Sequence, residues 1–222
     1  AGQAGVAKMR AMNLPNKLTI ARIGMTGLFV AAMLLPAEGL IRTHFPLGKT
    51  LALGLFILAS LTDWLDGWLA RRHGLETTFG ALMDPLADKV LVVAAFICFI
   101  EQPAMRGAPH DGPLVQAWMV LLIVAREFLV TGLRLVAREK GVVLKAERLG
   151  KHKTISQMVT IIFVLGGLAA REDWNCLGYE CAKFDAMFWR LTLGLMFVVV
   201  AVTLWSGIAY LAKNRKLLLE HA

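Results

Sequence analysis

The chain contains few of the residues that crosslink a small fold or bind zinc. Only three of its 222 residues are cysteines, which excludes a fold built on several disulfide bonds. Its five histidines show no H-E-x-x-H spacing and no clustering with cysteine. The sequence also lacks a long-period repeat, a low-complexity tract and a strand-like alternation of apolar and polar residues.

The three cysteines are predicted to have minor roles. Cys98 lies within an apolar segment and is most simply a small core residue. Cys176 and Cys181 fall in one predicted loop, where an oxidising compartment would permit a disulfide bond. Free thiols are the default at these two positions, and the sequence leaves both alternatives open.

Charged residues are scarce as well, and this places the chain in a membrane. Only 18% of the residues are charged, 57% are hydrophobic, and the mean hydropathy is +0.61. A membrane-spanning helix needs about 20 apolar residues. The apolar segments predict an all-α, polytopic membrane protein with six transmembrane helices, over residues 18–35, 47–70, 79–100, 114–136, 154–169 and 187–211.

One catalytic domain is expected to contain all six spans. We assign it to residues 14–216, between an N-terminal segment of residues 1–13 and a C-terminal tail of residues 217–222. The N-terminal segment could include residues left from cloning, and no stretch there has the pattern of a cleavable signal peptide. It takes no part in the functional argument.

The distribution of positive charge predicts the orientation of the helices. Lysines and arginines concentrate near both termini and in the loops after the second and fourth spans. By the positive-inside rule, these parts are cytoplasmic. The net charge of +8 is therefore mainly a topology signal, and nucleic-acid binding is the weaker explanation because no soluble domain is present to carry it.

Four aspartates interrupt the second and third apolar segments. Asp63 and Asp66 are three residues apart and Asp84 and Asp88 four apart, so each pair would share one face of a helix. Carboxylates within a membrane are costly unless they have cations, partners or a polar cavity. Two such pairs on neighbouring helices would provide oxygen ligands for a hard divalent cation. Membrane aspartates also occur in ion and proton pathways, so a cation-coupled transporter is the alternative from another class.

The residues around these aspartates resemble a known family motif. The spacing D-x2-D-G-x2-A-R-x8-G-x3-D-x3-D, from Asp63 to Asp88, is similar to the signature of the CDP-alcohol phosphotransferases at every position. The resemblance implies the fold of that family and two divalent cations, Mg²⁺ or Mn²⁺, held by the four aspartates. It also implies that Asp88 is the base that accepts the proton of the acceptor hydroxyl.

Further residues are predicted to contact a CDP-activated donor. Gly67 would let a nucleotide or phosphate approach the helix backbone, and Arg71 could hold diphosphate oxygens. Close helix packing is the usual alternative for a glycine in a membrane helix. The N-terminal NLPNKLTIARI resembles family members that use glycerol-3-phosphate. The complete set of predicted donor-binding residues is Asn16, Thr19, Gly67, Ala70, Arg71 and Gly80.

A second set of cations is predicted to bind the acceptor. Arg126 and Arg134 are eight residues apart and share a helix face within an apolar segment, where an unpaired guanidinium is costly. Lys151 and Lys153 are expected in the following loop, just before the fifth span. Together the four would form a phosphate pocket. Pairing of Arg126 with Glu127 or with the aspartates is the structural alternative.

The resemblance extends from Asn13 to the C-terminal TLWSGIAYL, and it implies a specific reaction. The donor would be CDP-diacylglycerol, the acceptor glycerol-3-phosphate, and the products phosphatidylglycerophosphate and CMP. Inositol-phosphate and cardiolipin-forming members are the nearest alternatives. The resemblance further implies a bacterial plasma-membrane protein with a cytoplasmic active site that functions as a homodimer, and Gly24 and Gly27 offer a small-residue face for helix packing.

Overall fold

Six long α-helices contain nearly all of the residues whose placement is known. The computed structural model describes residues 14–34, 47–73, 78–102, 112–139, 141, 148–173 and 181–215. Within these ranges, the structure describes the backbone but not the side chains of residues 14–20, 63–73, 78–88, 138–139, 148–149 and 181–182. The predicted N-terminal segment and C-terminal tail also lie outside the described residues.

The helices follow one another along the chain, and each overlaps one predicted span. They are α1 (Leu14–Leu34), α2 (Gly48–His73), α3 (Thr78–Ile100), α4 (Ala117–Glu139), α5 (Arg148–Leu168) and α6 (Cys181–Lys213). A π-helical turn, Ala169–Asp173, continues α5. The prediction of an all-α fold is confirmed.

The helices pack around one apolar core to which all six contribute. α1 contacts α2 and α3, α5 lies against α2 and α6, and α4 contacts α3 and α6. Aromatic rings occupy the centre, with the ring centroids of Phe29 and Phe56 6.1 Å apart and those of Phe96 and Phe99 6.2 Å apart. Ile123, Leu165 and Met196 are also fully buried, which connects α4, α5 and α6 to the same core.

The outer surface is apolar, whereas several polar side chains are buried. Large apolar side chains such as Leu58, Leu121 and Trp205 are at least half exposed, at 55%, 67% and 68%. Two helical stretches of the described residues, Gly150–Asp173 and Lys183–Lys213, are long and apolar enough to cross a membrane. Shorter apolar stretches occur in α1, α2 and α3. An apolar exterior around a partly polar interior is the arrangement expected of a protein in lipid.

Close packing joins α5 to α6. A Cβ atom at Gly167 would lie 1.9 Å from Cε2 of Phe188, so only glycine allows the two helices to approach this closely. Phe188 in turn stacks on Phe184, with ring centroids 5.7 Å apart. The first turns of α6 therefore pack closely against α5.

A group of charged side chains joins the end of α5 to the beginnings of α2 and α6. We name it the Asp185 cluster, and it consists of Lys49, Arg171, Glu172, Asp173 and Asp185. Nε of Arg171 lies 3.0 Å from Oδ1 of the buried Asp185. Lys49 lies 3.7 Å from Glu172, and the backbone N–H of Thr50 donates to Asp173 at 2.5 Å. Each carboxylate of this cluster has a cation or a helix amino end beside it.

Two predicted loop boundaries were wrong. Lys151 and Lys153 were placed in a loop, but α5 already begins at Arg148, because a helix can extend beyond its apolar stretch into charged residues. Similarly, the described ends of the loop predicted between the fifth and sixth spans are helical, with the π-helical turn at one end and the start of α6 at the other. Helix boundaries follow backbone hydrogen bonds rather than hydropathy.

The cysteine predictions had different outcomes. Cys98 is buried in the main core as a free thiol, which confirms its predicted role. Cys176 lies outside the described residues, and Cys181 is the first residue of α6 with its side chain outside the description.

Candidate active site

The aspartate motif spans two successive helices of the bundle. Asp63, Asp66, Gly67, Ala70 and Arg71 belong to α2, and Gly80, Asp84 and Asp88 belong to α3. Asn16 and Thr19 are in α1, which contacts both α2 and α3. The structure describes the backbone of these residues but not their side chains. Among the side chains that are described, no group of three or more His, Cys, Asp and Glu could hold a metal ion.

A group of charged side chains that begins with Lys89, the residue after Asp88, joins α3, α4 and α5. We name it the Glu127 cluster, and it consists of Lys89, Arg126, Glu127 and Lys153. Lys153 donates a hydrogen bond to Oε1 of Glu127, Nη1 of Arg126 lies 3.4 Å from the same oxygen, and Nζ of Lys89 lies 3.3 Å from Oε2. One carboxylate thus contacts cations from three helices.

The sequence of α4 explains why Glu127 points into the bundle. Met119, Ile123, Val130 and Ala137 are buried, and their spacing of four or seven residues forms one stripe along the helix. Glu127 falls on this stripe and is only 4% exposed. Burial of a carboxylate at this depth requires cationic partners, which the neighbouring helices provide.

Lys89 makes further hydrogen bonds to α4 in addition to its ion pair with Glu127. Its Nζ also donates to the Oγ1 of Thr131 and, at 3.2 Å, to the backbone carbonyl of Glu127. Thr131 itself donates to the same carbonyl at 2.7 Å. Since Lys89 directly follows Asp88 in α3, these bonds tie the end of the aspartate motif to α4.

The two predicted acceptor lysines point in different directions. Two residues apart on a helix, Lys151 and Lys153 are separated by about 200° around its axis. Lys153 is 6% exposed and pairs with Glu127, whereas Lys151 is exposed and has no ion pair with a described residue. The structure therefore brings Lys153 and Arg126 together at Glu127, and it leaves the Lys151 ammonium accessible.

Positive charge exceeds negative charge in the Glu127 cluster. Among the described side chains, three cations surround one carboxylate, a formal surplus of two positive charges in a largely buried place. Arg126 pairs with Glu127, which was one of the two alternatives that the sequence left open. Its Nε is nevertheless buried and has no hydrogen-bond partner among the described residues. A guanidinium has five N–H donors, so several remain for an anionic ligand.

Arg134 is held by α6. Its Nε donates to the Tyr210 hydroxyl at 3.2 Å, and its guanidinium carbon lies 5.3 Å from the centre of the Tyr210 ring. Both contacts are of the kind that fixes a guanidinium on an aromatic side chain. Arg126 is similarly tied to α6, because its Nη2 donates to the Ser206 hydroxyl at 2.9 Å.

An apolar cavity of about 220 Å³ borders the cluster between α3 and α4. Val90, Val93, Ile97 and Phe128 line it, with Lys89 and Glu127 at one end. Such a lining suits an acyl chain better than a small anion.

Sequence patterns missed several of these residues. Lys89 directly follows Asp88, and this position could have identified it as a residue of the site. Ser206 and Tyr210 gave no such signal, because they meet the arginines only after α6 packs on α4. They lie about 80 residues further along the chain, at sequence separations of 80 and 76.

The chain is similar to known proteins over most of its length. Residues 12–205 match the CDP-alcohol phosphatidyltransferase family. A CDP-diacylglycerol–glycerol-3-phosphate 3-phosphatidyltransferase of Bacillus subtilis (strain 168) is 39% identical over 206 residues, covering 91% of this chain and 95% of the relative. The protein with the same name from Haemophilus influenzae is 34% identical, covering 94% of this chain and 97% of the relative. A rice protein named cardiolipin synthase (CMP-forming) is 31% identical, with 94% of this chain and 59% of that protein covered.

The match covers most of the chain and includes the aspartate motif, all of α4 and α5, and α6 as far as Trp205. The chain belongs to the CDP-alcohol phosphatidyltransferase family, a family of membrane enzymes. The resemblance predicted from the motif is thereby confirmed.

Proposed function

We propose that the protein transfers the phosphatidyl group of CDP-diacylglycerol to glycerol-3-phosphate, forming phosphatidylglycerophosphate and CMP. Relatives with the corresponding name, 34–39% identical over most of the chain, support this activity. The structural observation that carries it is the positive surplus of the Glu127 cluster, next to the end of the aspartate motif. An acceptor with a phosphate of its own neutralises that surplus, whereas an uncharged alcohol does not.

The acceptor phosphate is proposed to bind to Arg126, Arg134, Lys151 and Lys153. Arg126 retains free donors, and Lys151 has an accessible ammonium. Glu127 holds Arg126 and Lys153 in place while cancelling only part of their charge. Charge-assisted hydrogen bonds from these groups would orient glycerol-3-phosphate with its free primary hydroxyl directed toward the donor.

The donor is proposed to bind at α1, α2 and α3. Asn16, Thr19, Gly67, Ala70, Arg71 and Gly80 would contact CDP-diacylglycerol, and Asp63, Asp66, Asp84 and Asp88 would bind two Mg²⁺ or Mn²⁺ ions. Carboxylate oxygens suit either ion. When bound, such cations supply the charge that stabilises the attacking and leaving oxygens of a phosphoryl transfer.

The proposed reaction is a direct displacement. The acceptor hydroxyl oxygen forms a bond to the phosphorus that carries diacylglycerol, and the bond from that phosphorus to the CMP oxygen breaks. Asp88 accepts the hydroxyl proton, which requires an ionised carboxylate beside the site. Lys89 fixes the helix position next to Asp88 through its bonds to α4.

The membrane arrangement is also part of the proposal. We assign six spans, with both termini and the active site on the cytoplasmic side of a bacterial plasma membrane, and a homodimer as the working unit. Six helices with apolar outer surfaces support the assignment. The charge distribution of the sequence supports the orientation.

Product identification tests the proposed reaction. Purified protein in detergent would be given CDP-diacylglycerol with glycerol-3-phosphate, inositol phosphate or phosphatidylglycerol, with Mg²⁺ or Mn²⁺ and with or without chelator. We expect metal-dependent CMP release and phosphatidylglycerophosphate only with glycerol-3-phosphate. Asp88→Asn should retain donor binding and lose most turnover, because it keeps the size of the side chain without its basicity.

The rice relative makes cardiolipin formation the second candidate. Its acceptor would be phosphatidylglycerol, a larger lipid with one phosphate diester. Formation of cardiolipin in the same assay, without phosphatidylglycerophosphate, would contradict the proposal and support this alternative. CMP release that does not depend on any acceptor would contradict both.

A further inference from the structure

One face of α6 contacts both arginines of the proposed acceptor site. Ser206 accepts a hydrogen bond from Nη2 of Arg126, and it donates one to the carbonyl of Thr203 at 3.1 Å. One turn later, Tyr210 accepts from Nε of Arg134. Thr203, Ser206, Gly207 and Tyr210 are all buried, so this face of α6 points into the bundle.

Gly207 lets the side chain of Arg126 lie directly on the α6 backbone. A Cβ atom at this position would be 2.9 Å from Cγ of Arg126 and 3.7 Å from its Nε. The Cγ atom is near the base of the side chain, so it cannot move without moving the guanidinium. Gly207 thereby fixes the path along which Arg126 reaches Ser206 and Glu127.

Tyr210 is itself held by its surroundings. It is 2% exposed and packs with Val130 and Leu133 of α4 in a small second core. Its ring lies against the Arg134 guanidinium while its hydroxyl accepts the hydrogen bond, so two separate contacts define where Arg134 points. Arg134 remains exposed in spite of them, which leaves donors for a ligand.

We propose that Ser206, Gly207 and Tyr210 are positioning residues that set the direction of Arg126 and Arg134, and so determine how tightly the acceptor phosphate binds. The proposal rests on the proposed function, in which both arginines bind that phosphate. It assigns to α6 a specific role in acceptor recognition, although none of its residues needs to touch the substrate.

A pair of glycine substitutions on α6 provides the main test. Gly207→Ala adds a Cβ against Arg126, whereas a Cβ at Gly194 would meet nothing within 4 Å. Both changes replace glycine by alanine within the same helix, and alanine favours the helix in each case. We expect Gly207→Ala to raise the KM for glycerol-3-phosphate by roughly tenfold, the effect of about one charge-assisted contact, and Gly194→Ala to leave it unchanged. The KM for CDP-diacylglycerol should stay the same in both.

Graded changes at Tyr210 and Ser206 test the same role through hydrogen bonds. Tyr210→Phe keeps the ring under Arg134 and removes the hydroxyl, so its KM for glycerol-3-phosphate should rise by only about threefold. Tyr210→Leu removes both contacts and should raise it by about tenfold or more. Ser206→Ala should resemble Tyr210→Phe, because one hydrogen bond is lost. Thermal unfolding in detergent would accompany each measurement.

The outcomes separate this inference from the proposed function. If the wild-type protein forms no phosphatidylglycerophosphate from glycerol-3-phosphate, the proposed function fails. If the wild type is active and Gly207→Ala has the same acceptor KM as Gly194→Ala, only the positioning role is overturned. It is also overturned if the variants raise both KM values equally, or lose turnover in proportion to their loss of folded protein, because those results indicate a purely structural role.

Discussion

The described part of the chain contains two charged clusters at opposite ends of α5, and their charge balance differs. Lys153 and Arg171 are 18 residues apart in the helical stretch from α5 through the π-helical turn, about 27 Å at ~1.5 Å per residue. In the Asp185 cluster, two cations face three carboxylates, and the amino end of α2 contributes further partial positive charge. In the Glu127 cluster, three cations face one carboxylate.

The comparison shows which cluster can be explained by folding alone. In the Asp185 cluster, Lys49, Arg171 and the amino end of α2 give each carboxylate a partner, so the cluster is sufficiently explained as a connection between helices. Among the described side chains, the cations of the Glu127 cluster outnumber its one carboxylate, so this cluster is suited to an anionic ligand. Changes in the Glu127 cluster should therefore affect activity, whereas changes in the Asp185 cluster should affect stability alone.

The largest effect is expected in the aspartate motif beside the Glu127 cluster. Asp66→Ala should abolish detectable CMP release while the protein remains folded in detergent, because the proposed metal-bound charge is required for the reaction. Asp63→Ala and Asp84→Ala should behave alike. Normal CMP release by any one of them would remove that aspartate from the proposed metal site.

The next largest effect is expected at Glu127 itself. Glu127→Gln removes the only carboxylate of the Glu127 cluster and should lower both turnover and stability, the latter by about 3–5 kcal/mol for a broken buried ion pair. Adding Lys153→Met removes one of the stranded cations, so the double variant should regain stability without regaining activity. Unfolding temperature and CMP release would be measured together. Full activity of Glu127→Gln would show that the cluster is not part of the site.

A smaller and more selective effect is expected at the two exposed cations. Lys151→Ala or Arg134→Ala should raise the KM for glycerol-3-phosphate by roughly ten- to a hundredfold, the equivalent of about 1.5–3 kcal/mol, with little change for CDP-diacylglycerol. Arg134→Lys should recover only part of the loss, because it keeps the charge without the planar fork. Steady-state kinetics with each substrate varied in turn would decide. A defect confined to CDP-diacylglycerol would place these cations on the donor instead.

The smallest effect on activity is expected at the other end of α5. Asp185→Asn should lower stability by about 3 kcal/mol, because the buried side chain loses its ion pair with Arg171. Both KM values of the folded protein should remain unchanged. Glu172→Gln is the milder companion, since Glu172 is 3.7 Å from Lys49 and 19% exposed. A selective change in acceptor KM for Asp185→Asn would contradict the separation of roles.

Local patterns predicted much of this architecture. Runs of apolar residues predicted the positions of the six helices that the structure describes, because each helix buries apolar side chains over much of its length. The eight-residue spacing placed Arg126 and Arg134 on one face, since helical periodicity is fixed. The motif identified the family because its spacing is maintained over both α2 and α3.

Contacts between distant parts of the chain could not be predicted from such local patterns. Glu127 meets Lys89 and Lys153 only because α3, α4 and α5 converge, and no local pattern encodes that convergence. The different directions of Lys151 and Lys153 follow from the early start of α5, which hydropathy did not reveal. Gly207 resembled any small residue of a membrane helix until Arg126 was found against it.

The exposure of Trp205 makes the depth of the site measurable by spectroscopy. Its indole is 68% exposed on the outer surface, and the next residue, Ser206, faces inward to Arg126. Adjacent helical residues differ in height by about 1.5 Å, so the two lie at nearly the same level. In a protein whose other tryptophans are replaced by phenylalanine, lipids brominated at successive acyl carbons would quench Trp205 fluorescence most strongly at its own depth. The carbon that gives maximal quenching would therefore locate Arg126 relative to the headgroups.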